Sequence, residues 1–128
     1  MSSTSVNQED YLERIQELIE AKGYARVSDI AAELSINRSS VTNMVQQLSK
    51  QGYVNYEKYR GLTLTDEGLK VATEIRDRHE TLLELFLLLG LKQDEALEDI
   101  EGLEHHVSKR TYQTLKRLIK HLHEFPMS

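Results

Sequence analysis

Between Ser28 and Thr65 the chain changes its hydrophobic period, and this change restricts its possible folds more than any other feature. In "SDIAAEL" and "RSSVTNMVQQL" the apolar residues recur at helical spacing: Ile30, Ala31 and Leu34 in the first segment, Val41, Met44, Val45 and Leu48 in the second. In "YVNYEKYRGLTLT" they alternate as on strands, with a pivot near Arg60-Gly61. Two short helices are therefore expected, one capped by Ser28 and one running from about Arg38 to Gln51 after the turn "SIN", followed by a hairpin.

The second short helix carries an outer face of Ser39, Ser40, Thr42, Asn43, Gln46 and Gln47, short or amide side chains that donate and accept hydrogen bonds. A tight pair of helices with such a face reads as helix-turn-helix, and a hairpin directly after it as a wing with Lys58 and Arg60 at the tip. The expected contacts are Arg38, Ser39, Ser40, Thr42, Asn43 and Gln47 to the major groove, and Lys58 and Arg60 to the backbone or minor groove. The alternative, that Lys58 and Arg60 only solubilise a hairpin edge, is the weaker one, because three successive elements agree on a nucleic-acid face. Charge agrees as well. The 128-residue chain has net charge -5, yet from Tyr24 to Thr63 it places five basic residues against three acidic ones.

The flanking segments are helical. Asn7 with Asp10 resembles a capping box, and Tyr11, Ile15, Leu18 and Ile19 keep helical spacing up to Gly23. Thr65 caps a long helix to Gly90, whose second half, Leu82 to Leu89, is apolar almost all round and needs partners on more than one side. A fifth helix is expected from about Asp94 to Val107, and a sixth from about Ser108 to Phe125 with Tyr112, Leu115, Leu118, Ile119 and Leu122 as its stripe. The architecture is mostly α: a winged helix-turn-helix over 1–70 and an all-helical dimerisation domain over 71–128, whose surplus apolar surface points to a homodimer. The absence of cysteine removes disulfides and thiol chemistry. No apolar run approaches a membrane span, and the N-terminus lacks the pattern of a secretory signal, so a cytoplasmic protein is expected.

From Asp94 to Glu104 six of eleven residues are acidic with no Lys or Arg among them, and "EGLEHH" closes the run. Charge runs are usually solvated faces. On the fifth helix, however, Glu101, Glu104 and His105 share one side, and two carboxylates with an imidazole suit a cation. Asp10 and Glu13 lie three apart on the first helix, where complementing the helix dipole is the readier use for those two alone. His79 sits among polar neighbours just before the fourth helix turns apolar.

The segments "EDYLERI", "GYARVSDIAAELSINRSSVTNMVQQL", "YEKYRGLTLTDEG", "RHE" and "EGLEHH" together resemble, in order and over nearly the whole chain, the diphtheria toxin repressor (iron-dependent regulator) family. The resemblance implies a winged helix followed by a helical dimerisation domain, with divalent metal switching on binding to double-stranded operator DNA. It places the metal ligands at Asp10, Glu13, His79, Glu101, Glu104 and His105, six side chains that could enclose one or two divalent ions, two per subunit being expected. The chain departs from the family's iron-responsive branch, which uses a sulfur ligand: here Asp10 stands where that branch has methionine. Hard carboxylates with two imidazoles suit Mn²⁺, so a manganese-responsive repressor of manganese uptake genes is expected, with no membrane partner and no small-molecule substrate. The alternatives are a response to Fe²⁺ or to a small organic ligand. A di-metal carboxylate enzyme is disfavoured, because such bundles need Glu-x-x-His on two helices and Glu101 and His105 are four apart.

Overall fold

The computed structural model describes residues 6–57 and 60–127. Among them the element order is α1 (Val6–Lys22), α2 (Val27–Leu34), α3 (Arg38–Lys50), β1 (Val54–Glu57), β2 (Gly61–Leu64), α4 (Asp66–Leu88), α5 (Gln93–Ile100), a 3-10 turn (Leu103–His105) and α6 (Lys109–Glu124). The chain divides into two compact units, residues 1–74 and 75–128.

The first unit is a winged helix. Its core joins Leu12 and Ile15 of α1, Ile30 of α2, Val41, Val45 and Leu48 of α3, and Val54 and Leu62 of the sheet, all essentially buried. Ile15, Ile30, Val41, Val45 and Leu48 are residues the helical spacing singles out, whereas Leu12, on the same helix as Ile15, is not among them; Met44 packs against the same core while partly exposed. The Asn37 side chain caps α3 by accepting from Ser40 N at 2.8 Å. Strands β1 and β2 pair antiparallel from Val54↔Leu64 to Glu57↔Gly61. Ala25 adds a bridge to Leu62 that the sequence reading did not anticipate, accepting from Leu62 N at 2.7 Å and pinning the α1–α2 connection to the wing. Thr65 starts α4 as expected, its hydroxyl accepting from Gly68 N at 3.1 Å.

Two expected caps are corrected. Helix α1 is already helical at Val6, so Asn7 lies inside it. Helix α2 is capped at Arg26, not Ser28: the Asp29 carboxylate reaches back to accept from Arg26 N at 3.2 Å, which starts the helix two residues early.

In the second unit, the later part of α4 packs through Leu82 with Ile100 and Tyr112, and through Leu85 with Ile119 and Leu122. Lys116 Nζ meets Asp77 Oδ2 at 2.6 Å and His123 Nε2 meets Glu84 Oε1 at 2.7 Å, both pairs joining α6 to α4 at the surface. Leu118, expected in the buried stripe of α6, is 41% exposed, because it sits at the edge of the arc defined by Tyr112, Ile119 and Leu122. Leu87, Leu89, Leu97 and Phe125 are also exposed, and they form the surplus apolar surface foreseen for this half. No helix among the described residues is long and apolar enough to cross a membrane.

Candidate metal centre and nucleic-acid interface

The expected fifth helix does not reach Val107. Helix α5 stops at Ile100, Glu101 turns to φ -57, ψ 115, and Gly102 takes φ 84, a left-handed conformation that glycine adopts without the Cβ penalty. A single 3-10 turn carries Leu103 to His105, and α6 begins after a new cap in which Ser108 Oγ accepts from Thr111 N at 3.2 Å. Glu101, Glu104 and His105 therefore do not lie on one helical face. Glycine between an acidic run and a following apolar residue is a helix-stop signal, so Gly102 marked this break in the sequence.

The turn separates the three side chains by environment. Glu101 is exposed, whereas Glu104 is buried and the His105 side chain is only 1% exposed. His105 Nε2 lies 3.7 Å from Glu104 Oε1, while Glu104 Oε2 is buried with no hydrogen-bond partner among the described residues. A buried carboxylate oxygen left without a donor is costly, roughly 1–3 kcal/mol or more when charged. A cation is the partner that such an oxygen beside an imidazole would accept, and the donor set of oxygen and nitrogen fits a hard or borderline divalent metal.

His79 lies half-buried on α4. Asp10 and Glu13 lie half-buried on α1, each with a partner of its own. Among the described residues no group of three or more His, Asp or Glu side chains is gathered at metal-holding range. The structure thus brings Glu104 and His105 together and gathers none of the other four expected ligands with them into such a group.

On α3, Arg38, Ser39, Ser40, Asn43 and Gln47 are exposed and Thr42 is half-exposed, opposite buried Val41, Val45 and Leu48. Their solvent-facing side holds no acidic residue, which suits a surface meant for base edges and phosphates. Arg60 projects from the wing with its side chain 83% exposed, 3.5 Å from Glu57. Lys58 lies outside the described residues. Sequence reasoning counted Arg26 in the basic stretch from Tyr24 to Thr63 but assigned it no contact; its place beside the wing depends on the Ala25 bridge to Leu62, a long-range contact with no local signal.

A winged helix with a polar, acid-free recognition face, joined in one chain to a helical unit that holds a buried carboxylate-imidazole pair, defines the class of metal-binding winged-helix proteins. Comparison with known proteins narrows the class. Residues 3–62 match the model of the iron dependent repressor N-terminal DNA binding domain, and residues 65–128 that of the iron dependent repressor metal binding and dimerisation domain. The chain belongs to the iron dependent repressor family. It is 46% identical over 121 residues to the HTH-type transcriptional regulator MntR of Bacillus subtilis (strain 168), covering 94% of this chain and 85% of that protein. It is 48% identical over 116 residues to MntR of Geobacillus thermodenitrificans (strain NG80-2), covering 91% and 82%. Among solved structures it resembles the manganese regulator SloR, with 33% identity, a TM-score of 0.73, and coverage of 91% of this chain and 55% of that one. It also resembles the apo form of the manganese-activated repressor ScaR, with 32% identity, a TM-score of 0.74, and coverage of 86% and 53%. The chain spans about half the length of these two solved proteins.

Proposed function

We infer that the chain is a manganese-responsive transcriptional repressor that binds double-stranded operator DNA as a homodimer. It is not an enzyme. The observation that carries the metal half of this reading is the unpartnered, buried Oε2 of Glu104 next to His105. The DNA half rests on the exposed polar face of α3 beside the wing. Relatives named MntR and structural neighbours described as manganese regulators support manganese as the metal.

The ligands we assign are Asp10 and Glu13 on α1, His79 on α4, and Glu101, Glu104 and His105 around the turn after α5, a set able to hold two ions per subunit. Four carboxylates and two imidazoles form a hard donor set, suited to Mn²⁺. When bound, the metal supplies positive charge that offsets repulsion among those carboxylates. The chain's own residues do the rest: Glu104 and His105 are held in place by burial, α1 carries its two carboxylates within the DNA-binding unit, and α3 presents the recognition face. Repression of manganese uptake genes in the cytoplasm is the role that follows.

The test is operator affinity measured against free Mn²⁺, Fe²⁺ and Zn²⁺, with bound metal counted by equilibrium dialysis and oligomeric state followed in parallel. The expected result is a dimer that takes up two Mn²⁺ per subunit and gains operator affinity with it. Affinity that ignores added Mn²⁺ would remove the sensor reading.

A further inference from the structure

We propose that Arg26 is a further DNA-binding residue, a guanidinium fork set beside the wing to hold a backbone phosphate of the duplex. This rests on the repressor reading above. The Arg26 guanidinium carbon lies 4.7 Å from the centroid of the Tyr24 ring. Its main-chain N–H is used by Asp29, but the guanidinium itself donates no hydrogen bond and forms no ion pair among the described residues. The Asp29 carboxylate three residues on, which could have neutralised it, is engaged by Lys22 Nζ at 3.3 Å.

The position of Arg26 follows from the bridge between Ala25 and Leu62, which starts its side chain alongside the second wing strand. A Cβ built on Gly61 would lie 3.6 Å from Arg26 Cγ, so the arginine stem runs along Gly61, next in the chain to Arg60. Among the described residues Arg60 pairs with Glu57 in an exposed contact at 3.5 Å, an interaction that contributes little in water and is easily exchanged. Two arginines thus meet the start of β2, Arg60 as the residue before Gly61 and Arg26 through its stem.

The chemistry points to phosphate. A planar fork with five donors matches two phosphate oxygens, and stacking on Tyr24 already restricts the rotamers, so less entropy is lost when the contact forms. Arg26 belongs to the α1–α2 connection and not to the outer face of α3, so it fits the backbone-contacting group, which positions the protein without reading bases. A purely structural arginine over Tyr24 would affect stability alone.

The experiment measures binding to operator and to a scrambled duplex at several salt concentrations, with saturating Mn²⁺, for the parent, Arg26→Ala, Arg26→Lys and Tyr24→Leu, with melting temperatures in parallel. Arg26→Ala should weaken binding to both duplexes roughly tenfold, the loss of one charge-assisted contact. It should also flatten the log-log salt dependence by about one unit. Arg26→Lys should keep the slope and lose part of the affinity, and Tyr24→Leu should keep the slope with weaker binding. A parent-like slope in Arg26→Ala, while the parent binds, overturns this contact alone. A parent that binds no duplex overturns the repressor reading and the contact with it.

Discussion

Gln8 Nε2 donates to Gln51 Oε1 at 2.8 Å, a side-chain bond between residues 43 apart that ties the start of α1 to the end of α3. Gln8 is buried and Gln51 exposed, so the bond crosses from the core to the surface. Asp10 and Glu13 follow Gln8 on the same helix, which makes this bond a mechanical link between the proposed metal-binding end of α1 and the recognition helix. Gln51→Ala is expected to cost about 1 kcal/mol in stability and to shrink the gain in operator affinity that Mn²⁺ produces. A double-mutant cycle with Gln8→Ala, scored on that gain, checks it; strict additivity would show that the bond does not couple the two sites.

Glu104→Gln replaces a buried carboxylate that has one unpartnered oxygen by a neutral amide of the same shape. In chelator the variant should unfold at a temperature equal to or above that of the parent, because a buried charge has been removed. With Mn²⁺ it should show neither the rise in melting temperature nor the gain in operator affinity. His105→Ala should also lose the Mn²⁺ response while remaining a folded dimer by sedimentation. A His105→Ala protein that responds to Mn²⁺ like the parent would dismiss the turn as a metal centre.

Asp10→Met exchanges a hard oxygen for a soft thioether. Operator binding titrated with Mn²⁺ and Fe²⁺ under anaerobic conditions should show activation shifting from Mn²⁺ toward Fe²⁺. An unchanged ratio of the two activation midpoints would remove Asp10 from the ligand set.

Gly61 opens β2 with φ +92, and a Cβ there would approach Ala25 O to 2.7 Å. Gly61→Ala must therefore strain the backbone and push the wing off the α1–α2 connection. A loss of about 1–3 kcal/mol in stability is expected, with weaker binding to all duplexes. Urea unfolding and DNA titration of the same preparation check both effects; a parent-like Gly61→Ala would mean that the Ala25 bridge does not hold the wing.

Burial pushes the Tyr112 hydroxyl up to about 12, with Glu104 and Asp77 adding to the rise and Arg78, whose guanidinium lies over the ring, opposing it. A raised folded-state value means that the native state holds this proton more tightly than the unfolded chain. The associated stability is complete below about pH 10 and is lost as pH climbs from there toward 12. Tyr112→Phe removes this contribution together with a buried hydroxyl that has no partner among the described residues, so it should be no less stable at pH 8 and should decline less between pH 10 and 12. Urea midpoints across that range decide the matter, and parallel declines for both proteins would reject the assignment.

The winged helix was legible in the chain because its signals are local. Helical spacing of Ile30, Ala31, Val41, Val45 and Leu48, the turn before Arg38 and the alternation around Arg60-Gly61 each specify one element, and their order leaves few ways to assemble them. The ends of α1 and α2 were less legible, since Asn7, Ser28 and Asp29 can all cap and only the realised backbone selects among them. Glu101, Glu104 and His105 could be named as donors from residue type, spacing and family resemblance. Their arrangement could not, because it depends on Gly102 turning left-handed and on Ile100 docking against Leu82 and Tyr112.

What the sequence determined by itself is therefore the set of elements and the chemistry each face carries, since periodicity and side-chain type act over a turn or a few residues. The tertiary structure alone decided which donors are buried, which arginine lies against the wing, and which glutamines join α1 to α3. Those outcomes rest on contacts such as Ala25 with Leu62 and Gln8 with Gln51, made between residues more than thirty-five positions apart. Such contacts form only once burial of the core has met the entropy of closing the loops between them, and no local pattern encodes that balance.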